Sequence, residues 1–299
     1  MDAFTPRDRA LDYWFWKFHV GDLAFLVDLI VRRRTRLAEV RVSLWKDGVG
    51  RVIHDETSDW STEPAEVRVG STWLRAGASS GGADDVRWDL RWDAGSTVVT
   101  PLRGLVARIE PFDTTIHAWP LARFAGRVQV GAAQYDLQDV PGTFYHYWGR
   151  GLSARWIWLS ATAFEEEPAR RLEAIVAVRT RFLGGPRYPL PIGYLWSTDG
   201  TRSDMTISGV NGLVRARSVS GGIAIDSVGI GRPRHRAIAS WGADRPNDIG
   251  EGIVQTMRGS VIIDGHRSVP GTVGLEVRAW PAVSAVATTL GARAVDGGG

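Results

Sequence analysis

The stretch of sequence that decides the fold covers residues 126–164 and reads GRVQVGAAQYDLQDVPGTFYHYWGRGLSARWIWLSATAF. Polar and apolar side chains alternate over residues 127–130, which predicts a β-strand, and Gly131 marks the turn after it. Pro141-Gly142 predicts a break in the loop that follows. Residues 155–164 are dense in aromatic and aliphatic side chains and predict a second strand. The stretch therefore predicts a strand, a turn, a loop and another strand.

Similar strand patterns recur on both sides of this stretch. They cover residues 39–45, 66–69, 86–92, 174–180 and 260–264. Turn dipeptides, mostly Asp-Gly and Gly-Gly, separate these segments. Helices are predicted only as short pieces, at residues 8–12 and 168–172. Many short strands separated by turns are typical of antiparallel sandwiches and barrels, so the predicted fold class is all-β.

The composition excludes several classes of function. The chain has 299 residues, of which 44% are hydrophobic, which is enough to build a full core in one large or two medium domains. It contains no cysteine, so disulfides, thiolate nucleophiles and cysteine-held zinc or iron–sulfur clusters are ruled out. No apolar run reaches the length of about 18 residues that a membrane span requires, and no signal peptide is predicted. A cytoplasmic protein is expected.

The charge distribution does not indicate a nucleic-acid partner. The formal net charge is +3, and Lys17 and Lys46 are the only lysines. One basic run, residues 32–36, follows an apolar stretch, but no zinc finger, RNP motif or basic helix accompanies it. A solvated loop is therefore the favoured interpretation of this run.

Sequence motifs for bound cofactors are absent. No pair of histidines has metal-ligand spacing, and no calcium loop, P-loop or dinucleotide-binding strand-to-helix turn is found. The nucleophile elbow of serine hydrolases is also missing. The sequence therefore predicts a protein without metal, nucleotide or flavin.

Four side chains are candidates for polar chemistry. His146 is flanked by tyrosines and tryptophan, and it is interpreted either as a structural anchor or as a proton donor in an apolar cleft, where loss of water depresses a histidine pKa. His117 has a similar environment. Tyr145 is a candidate hydrogen-bond donor to a carbonyl. Glu165 follows a strand end, and a carboxyl group there that faces an apolar cleft would keep its proton near neutral pH.

The central stretch contains an ordered set of short motifs: G-x-V-x-V-G, Y-x-L-x-D-x-P-G, H-x-W-G, R-W-x-W and a phenylalanine. They are carried by Gly126, Val128, Val130, Gly131, Tyr135, Leu137, Asp139, Pro141, Gly142, His146, Trp148, Gly149, Arg155, Trp156, Trp158 and Phe164. This order resembles the tocopherol cyclase, carotenoid 1,2-hydratase and AttH-like group, to which lipocalin-like fungal Diels–Alderases are related. Residues 13–18 resemble the aromatic cluster that opens that group's first strand, and residues 259–265 with 274–277 resemble its closing hairpin.

The resemblance implies two lipocalin-like, calycin-type β-barrel or sandwich domains with an apolar cleft between them. The sequence pattern divides the chain near Phe144, which gives domains over residues 1–143 and 144–293. Residues 294–299 are predicted to be a disordered tail.

Tryptophan is unusually frequent, with 14 residues. Any one of these rings is interpreted first as sheet packing, but the resemblance places several near a cavity and implies that they bind substrate. These are Trp14, Trp16, Trp88, Trp92, Trp119, Trp148, Trp156 and Trp158, to which the motif adds Arg155. Trp156 and Trp158 are predicted to share one strand face, because side chains alternate along a strand.

The resemblance implies a cofactor-independent cyclase of specialised metabolism acting on a hydrophobic polyene. A pericyclic, Diels–Alder type closure is preferred to an acid-catalysed one, because no carboxylate except Asp139 stands out in the central motif. The alternatives are a hydratase of an isoprenoid or carotenoid double bond and a non-catalytic lipid or pigment carrier. The expected partner is a hydrophobic small molecule such as a polyene, polyketide or isoprenoid, and peripheral contact with a membrane is compatible with this expectation.

Overall fold

Antiparallel strands make up all the regular structure of the computed structural model, which describes residues 4–7, 9–101, 114–153, 155–179, 190–231, 234–242, 246–249 and 253–278. The strands before residue 153 are β1 (Leu11–Val20), β2 (Leu23–Arg32), β3 (Leu37–Lys46), β4 (Val49–Thr57), β5 (Trp60–Glu63), β6 (Glu66–Val69), β7 (Thr72–Arg75), β8 (Ala78–Ala83), β9 (Val86–Asp93), β10 (Thr114–Val130) and β11 (Ala133–Gly149). Those after it are β12 (Arg155–Ala161), β13 (Arg171–Arg179), β14 (Leu190–Thr198), β15 (Ser203–Ile207), β16 (Gly212–Val219), β17 (Gly222–Gly229), β18 (Arg234–Ser240), β19 (Asn247–Asp248), β20 (Ile253–Ile263), β21 (His266–Arg267) and β22 (Val273–Arg278).

The chain divides into two compact units, Met1–Leu152 and Ser153–Gly299. The first unit holds a sheet in the order β4-β3-β2-β1-β11-β10-β9-β8-β7-β6-β5, and the second holds one in the order β15-β14-β13-β12-β22-β20-β18-β17-β16. Each sheet curls until distant strands meet, β4 against β8 in the first and β15 against β16 in the second. Each unit is thus a nearly closed, lipocalin-like barrel, which confirms the predicted all-β class. We call them the first barrel and the second barrel.

The structure divides the chain nine residues later than the predicted boundary between residues 143 and 144. Strand β11 continues to Gly149 and pairs with β1 on one side and β10 on the other, with Phe144 opposite both Trp16 and Trp119. The cross-strand hydrogen bonds of both ladders therefore hold this segment in the first barrel. The predicted end of the second domain and the predicted tail lie outside the described residues.

The predicted break at Pro141-Gly142 is wrong, because both residues lie inside β11. A side chain on Gly142 would place its Cβ 2.3 Å from the carbonyl oxygen of Lys17. Glycine here lets strands β1 and β11 approach closely, so it serves strand pairing and does not end the strand. The short helices are also wrong: Asp12 belongs to β1, Asp8 lies outside the described residues, and residues 168–170 form a turn before β13.

The two barrel interiors differ in their side chains. The first contains a packed set of aromatic rings, namely Trp14, Trp16, Phe18, Phe25, Trp88, Trp92, Trp119, Phe124 and Phe144. Among the described residues, the second is filled mainly by Val, Ile, Leu and Ala, with Phe164 and Trp241 as its aromatic members. Aromatic chemistry is therefore concentrated inside the first barrel.

The described residues contain no helix with the length and apolar character that crossing a membrane requires.

Candidate functional site

Three neighbouring strands place a group of polar and aromatic side chains at one level inside the first barrel. On β11, His146 lies opposite His117 of β10 and opposite Trp14 of β1. Two residues further along β11, Trp148 lies opposite Asp12 of β1. Alternate residues face the same side of a sheet. These five side chains therefore point to the interior, on the same strand faces as the aromatic residues of the packed core. We call Asp12, Trp14, His117, His146 and Trp148 the histidine layer.

Asp12 and His146 form a buried pair in this layer. Nε2 of His146 lies 2.8 Å from Oδ1 of Asp12, and both side chains are almost fully buried. The other oxygen of Asp12 accepts a hydrogen bond of 2.8 Å from the backbone N–H of Arg7 and lies 3.6 Å from a guanidinium nitrogen of Arg33. The carboxylate is thus satisfied on both oxygens, as a buried charge requires.

Aromatic rings enclose the imidazole of His146. Trp14 stacks on it with centroids 4.7 Å apart and planes 15° apart, and Trp148 lies 4.7 Å away on a tilted plane. The indole N–H of Trp14 donates to the carbonyl oxygen of Phe4 at 3.1 Å, which fixes the orientation of that ring. The guanidinium of Arg7 lies 5.1 Å from the Trp148 centroid. Indole faces attract cations, so the Trp148 ring and the Arg7 guanidinium stabilise each other.

His117 is in a different electrostatic state. Its ring contacts Trp148 and Trp119 edge-on, at 4.7 and 5.9 Å between centroids, and it has no hydrogen bond to a described residue. Burial, together with the positive charges of His146 and Arg7, lowers the pKa of His117 to about 4. The ring is therefore neutral at pH 7 and presents one N–H donor and one nitrogen acceptor.

Two further polar atoms at this level lack a partner among the described residues. They are the hydroxyl oxygen of Thr115 and the indole nitrogen of Trp148, whose residues lie opposite each other on β10 and β11. Buried polar atoms in native proteins nearly always have a partner, from the protein, from water or from a ligand. Together with His117, they give the layer three groups able to bond a polar atom of a ligand.

The predicted tryptophans of the first barrel extend the aromatic interior away from the histidine layer. Trp16 stacks on Trp92 at 5.7 Å, and Trp119 lies 5.7 Å from Phe144. Trp88 donates its indole N–H to the hydroxyl of Ser79 at 3.1 Å. The structure thus gathers the predicted tryptophans 14, 16, 88, 92, 119 and 148 in one barrel interior.

Tyr145 is not part of the histidine layer. It is the neighbour of His146 on β11, so it faces the opposite side of the sheet, where its ring stacks on Phe15 with centroids 4.0 Å apart. The structure therefore separates two candidates that the sequence analysis grouped.

Trp156 and Trp158 share one face of β12, as predicted, and this face is the one away from the interior of the second barrel. The interior face of β12 is formed by Ile157 and Leu159. The indole N–H of Trp156 donates to Glu276 at 2.7 Å.

Two other predicted residues of the second barrel are exposed. Arg155 lies at the start of β12, and Glu165 lies after the buried Phe164. Glu165 is exposed and does not face the apolar cleft that the sequence analysis expected. The chain bends at residues 165–166, directly after the buried Phe164.

A buried polar group accompanies Trp156 and Trp158 on this face, and the sequence analysis missed it. The Ser160 hydroxyl donates to Glu173, and the side-chain amide of Gln255 donates to Glu276 at 2.8 Å. Burial and the nearby charge of Glu173 raise the pKa of Tyr194. The hydrogen bonds tie these carboxylates into the sheet.

The sequence analysis also missed Asp12, although a signal for it was present. Asp12, Trp14, Trp16 and Phe18 occupy alternate positions, so a strand that begins before residue 12 places the carboxylate on the same face as the tryptophans. The competing interpretation of residues 8–12 as a helix concealed this alternation.

No cluster of three or more His, Cys, Asp or Glu side chains suited to a metal ion occurs within the described ranges.

Comparison with known proteins identifies the fold. No protein family and no curated protein matches the sequence. Among solved structures, an AttH-like protein from Nitrosomonas europaea is 11% identical, with a TM-score of 0.64 over 93% of this chain and 95% of that one. Kievitone hydratase from Nectria haematococca is 11% identical, with a TM-score of 0.58 over 90% and 88% of the two chains. CghA with Sch210972 is 12% identical, with a TM-score of 0.58 over 89% and 87%. The chain therefore has the fold shared by these three proteins, as the resemblance of residues 126–164 implied.

Proposed function

We propose that the protein is a cofactor-independent cyclase that closes a ring in a hydrophobic polyene bearing a carbonyl group, and that the histidine layer is its site. The observation that carries the proposal is the pairing of two unlike histidines inside an aromatic barrel. His117 is neutral and has no hydrogen bond to a described residue, whereas His146 is bonded to Asp12. The compared structures are only 11–12% identical to this chain, so they support the fold and not the reaction. The reaction is inferred from the histidine layer.

The aromatic interior suits a long apolar substrate. Its rings offer flat apolar walls, and a flexible polyene confined between such walls loses most of its rotational freedom before it reacts. Holding the two reacting ends in a near-attack geometry is the largest contribution that such a site makes to an intramolecular cyclisation. A pericyclic closure needs no net transfer of a proton, so substrate and product are isomers.

His117 is the group we assign to the substrate carbonyl. Its neutral ring donates one N–H, and this bond strengthens as electron density moves onto the carbonyl oxygen during the reaction. One such oriented donor contributes about 3–4 kcal/mol of transition-state stabilisation. The positive charge of Arg7, which lies close enough to His117 to lower its pKa, stabilises the same developing negative charge.

An acid-catalysed closure uses the same layer. His146 would transfer its proton to the substrate, the faces of Trp14 and Trp148 would stabilise the resulting cation, and neutral His117 would remove a proton from it, so the product is again an isomer. The sequence analysis found no carboxylate for this reaction in the central motif except Asp139, and Asp139 is exposed and bonded to Arg123. Asp12 supplies a carboxylate inside the layer. We favour the hydrogen-bonded version, because an imidazolium held by a carboxylate is a weak acid toward an alkene.

Hydration of a double bond is the second candidate. Neutral His117 is able to take a proton from water, and one of the proteins that share the fold is by name a hydratase. A carrier would need neither a neutral ring at His117 nor a ring that is able to bond the ligand.

Product analysis separates the three functions. Purified protein is incubated with a panel of linear polyenes in which a diene and an alkene are conjugated to a ketone. The molecular masses of the products are then measured by mass spectrometry. A cyclase gives an isomer of unchanged mass, a hydratase adds the mass of one water, and a carrier returns its ligand. The proposal fails if no member of the panel is converted faster by the wild type than by His117→Ala.

A further inference from the structure

One end of the second barrel exposes a cluster of aliphatic side chains. Val210 is 67% and Ile230 is 81% exposed, and Leu213 and Val228 are also exposed. We call these four residues the apolar tip. Exposed aliphatic side chains are common singly, but a contiguous group on a monomer marks an interaction surface.

Backbone pairing makes the tip contiguous. Leu213 and Val228 are direct partners across β16 and β17, and the N–H of Ile230 donates to the carbonyl oxygen of Asn211 at 2.9 Å. Val210 precedes Asn211 in the same turn. The four side chains therefore belong to two adjacent hairpin ends.

The side chains of the tip point away from the hydrophobic core. The neighbouring Val214 points inward and belongs to the packed interior of the barrel. Gly209 and Gly231 flank the tip at positive φ, and a side chain on either would meet no atom within 4 Å. These turns thus project into open space, where polar residues are the usual choice.

Arginines lie beside the tip on the same outward face. Arg215, Arg217, Arg234 and Arg236 are exposed on β16 and β18. Asp226 of β17 binds Arg217 and Arg236. Arg215 and Arg234 have no acidic partner among the described residues, so the face carries an excess of positive charge.

We propose that the apolar tip docks on a bilayer that contains anionic phospholipid, with the aliphatic side chains in the interfacial region and the arginines at the phosphates. The tip contains no tryptophan or tyrosine, the residues that anchor protein–protein interfaces, and its aliphatic side chains project from turns. Projecting aliphatic groups with neighbouring cations match an anionic membrane surface. The inference is independent of the proposed reaction.

Vesicle flotation tests the docking. The probes are vesicles of phosphatidylcholine alone and of phosphatidylcholine mixed with phosphatidylglycerol. We expect binding of the wild type to the mixed vesicles to exceed binding to the neutral ones by at least about tenfold, and to weaken with added salt. Absence of binding to the mixed vesicles, by the protein as purified, overturns the proposal.

Variants locate the contact. The double variant Val210→Ser/Ile230→Ser should lower binding to the mixed vesicles by about tenfold or more, since each side chain contributes buried aliphatic area. Val49→Ser is the matched control, because Val49 is equally exposed, at 67%, but lies on the first barrel. Arg215→Gln/Arg234→Gln should reduce both the binding and its salt dependence.

Two results contradict the assignment. One is a loss of binding in Val49→Ser equal to that in the tip variant. The other is a wild-type dimer in solution that Val210→Ser/Ile230→Ser converts to monomer, which would show that a second copy of the chain covers the tip. All these positions are exposed, so the melting temperatures of the variants should stay close to that of the wild type.

Discussion

His146 and Asp12 are 134 residues apart in the chain, yet Nε2 of His146 lies 2.8 Å from Oδ1 of Asp12 inside the first barrel. The contact follows from strand pairing, because β1 and β11 are antiparallel neighbours and place the two side chains diagonally across from each other on the same face. It fixes the imidazole of His146 and leaves His117 as the histidine that is able to bond a ligand.

The Asp12–His146 pair should act as one energetic unit. Because each substitution removes one partner from a buried hydrogen-bonded pair, we expect Asp12→Ala and His146→Ala each to lower the free energy of unfolding by about 3 kcal/mol. The double variant should lose clearly less than the sum of the two single losses, by about 1 kcal/mol or more. Urea unfolding of the four proteins measures this, and strictly additive losses would show that the pair is not coupled.

The low pKa of His117 makes stability depend on pH. The pKa is about 4 in the folded protein, below the ordinary value of 6.5. Between these values the unfolded chain binds a proton that the folded chain excludes, so the folded state loses stability as the pH falls from about 6.5 to about 4. The loss that His117 contributes is at most about 3 kcal/mol.

Comparison with His117→Gln isolates this effect, since glutamine does not titrate. The difference in unfolding free energy between pH 7 and about pH 4.5 should be smaller in the variant than in the wild type. Equal pH dependence in both proteins would mean that His117 titrates normally when folded.

Binding of a polyene should change the fluorescence of the interior tryptophans. A conjugated ligand beside the histidine layer should quench Trp14 and Trp148, so Trp148→Phe should remove part of the quenching. Trp73→Phe is the control, because Trp73 is half-buried on the outer side of the first barrel and under the guanidinium of Arg75. Equal quenching in both variants would place the ligand elsewhere.

Metal removal should leave activity unchanged. The sequence lacks a ligand-spaced set of histidines and carboxylates, and the proposed chemistry uses hydrogen bonds and positive charge from side chains alone. Turnover should therefore survive exhaustive dialysis against a chelator. Loss of turnover that a single metal ion restores would disprove this.

Much of the fold was predictable because local signals agreed with one another. Alternating side chains and Gly-containing turns predicted the all-β class, and the motifs of residues 126–164 implied the fold that the structural comparisons show. Pro141-Gly142 misled because turn residues inside a strand are indistinguishable from a loop until the neighbouring strand is known, and only the approach of Lys17 explains Gly142.

The candidate site was predictable in part. Aromatic density and the H-x-W motif led to His146 and Trp148, and His117 was among the candidates. Tyr145 was grouped with His146 although adjacent residues of a strand face opposite sides, a rule that the sequence analysis applied to Trp156 and Trp158 but not here. Asp12 required knowledge that β1 pairs with β11, a contact between distant parts of the chain that no local pattern reveals.

The central claim is that His117 contacts the substrate, and its most direct test is the single-turnover rate of His117→Ala beside that of Tyr145→Phe. Losing one oriented hydrogen-bond donor should lower the rate of His117→Ala by about 100- to 1000-fold. The ring has no hydrogen bond to a described residue, so the folded state should survive the change, as a melting curve of the same sample will show. Tyr145→Phe, altered on the opposite face of β11, should react at close to the wild-type rate. Wild-type turnover in His117→Ala, or a large loss confined to Tyr145→Phe, would contradict the assignment of the site to the histidine layer.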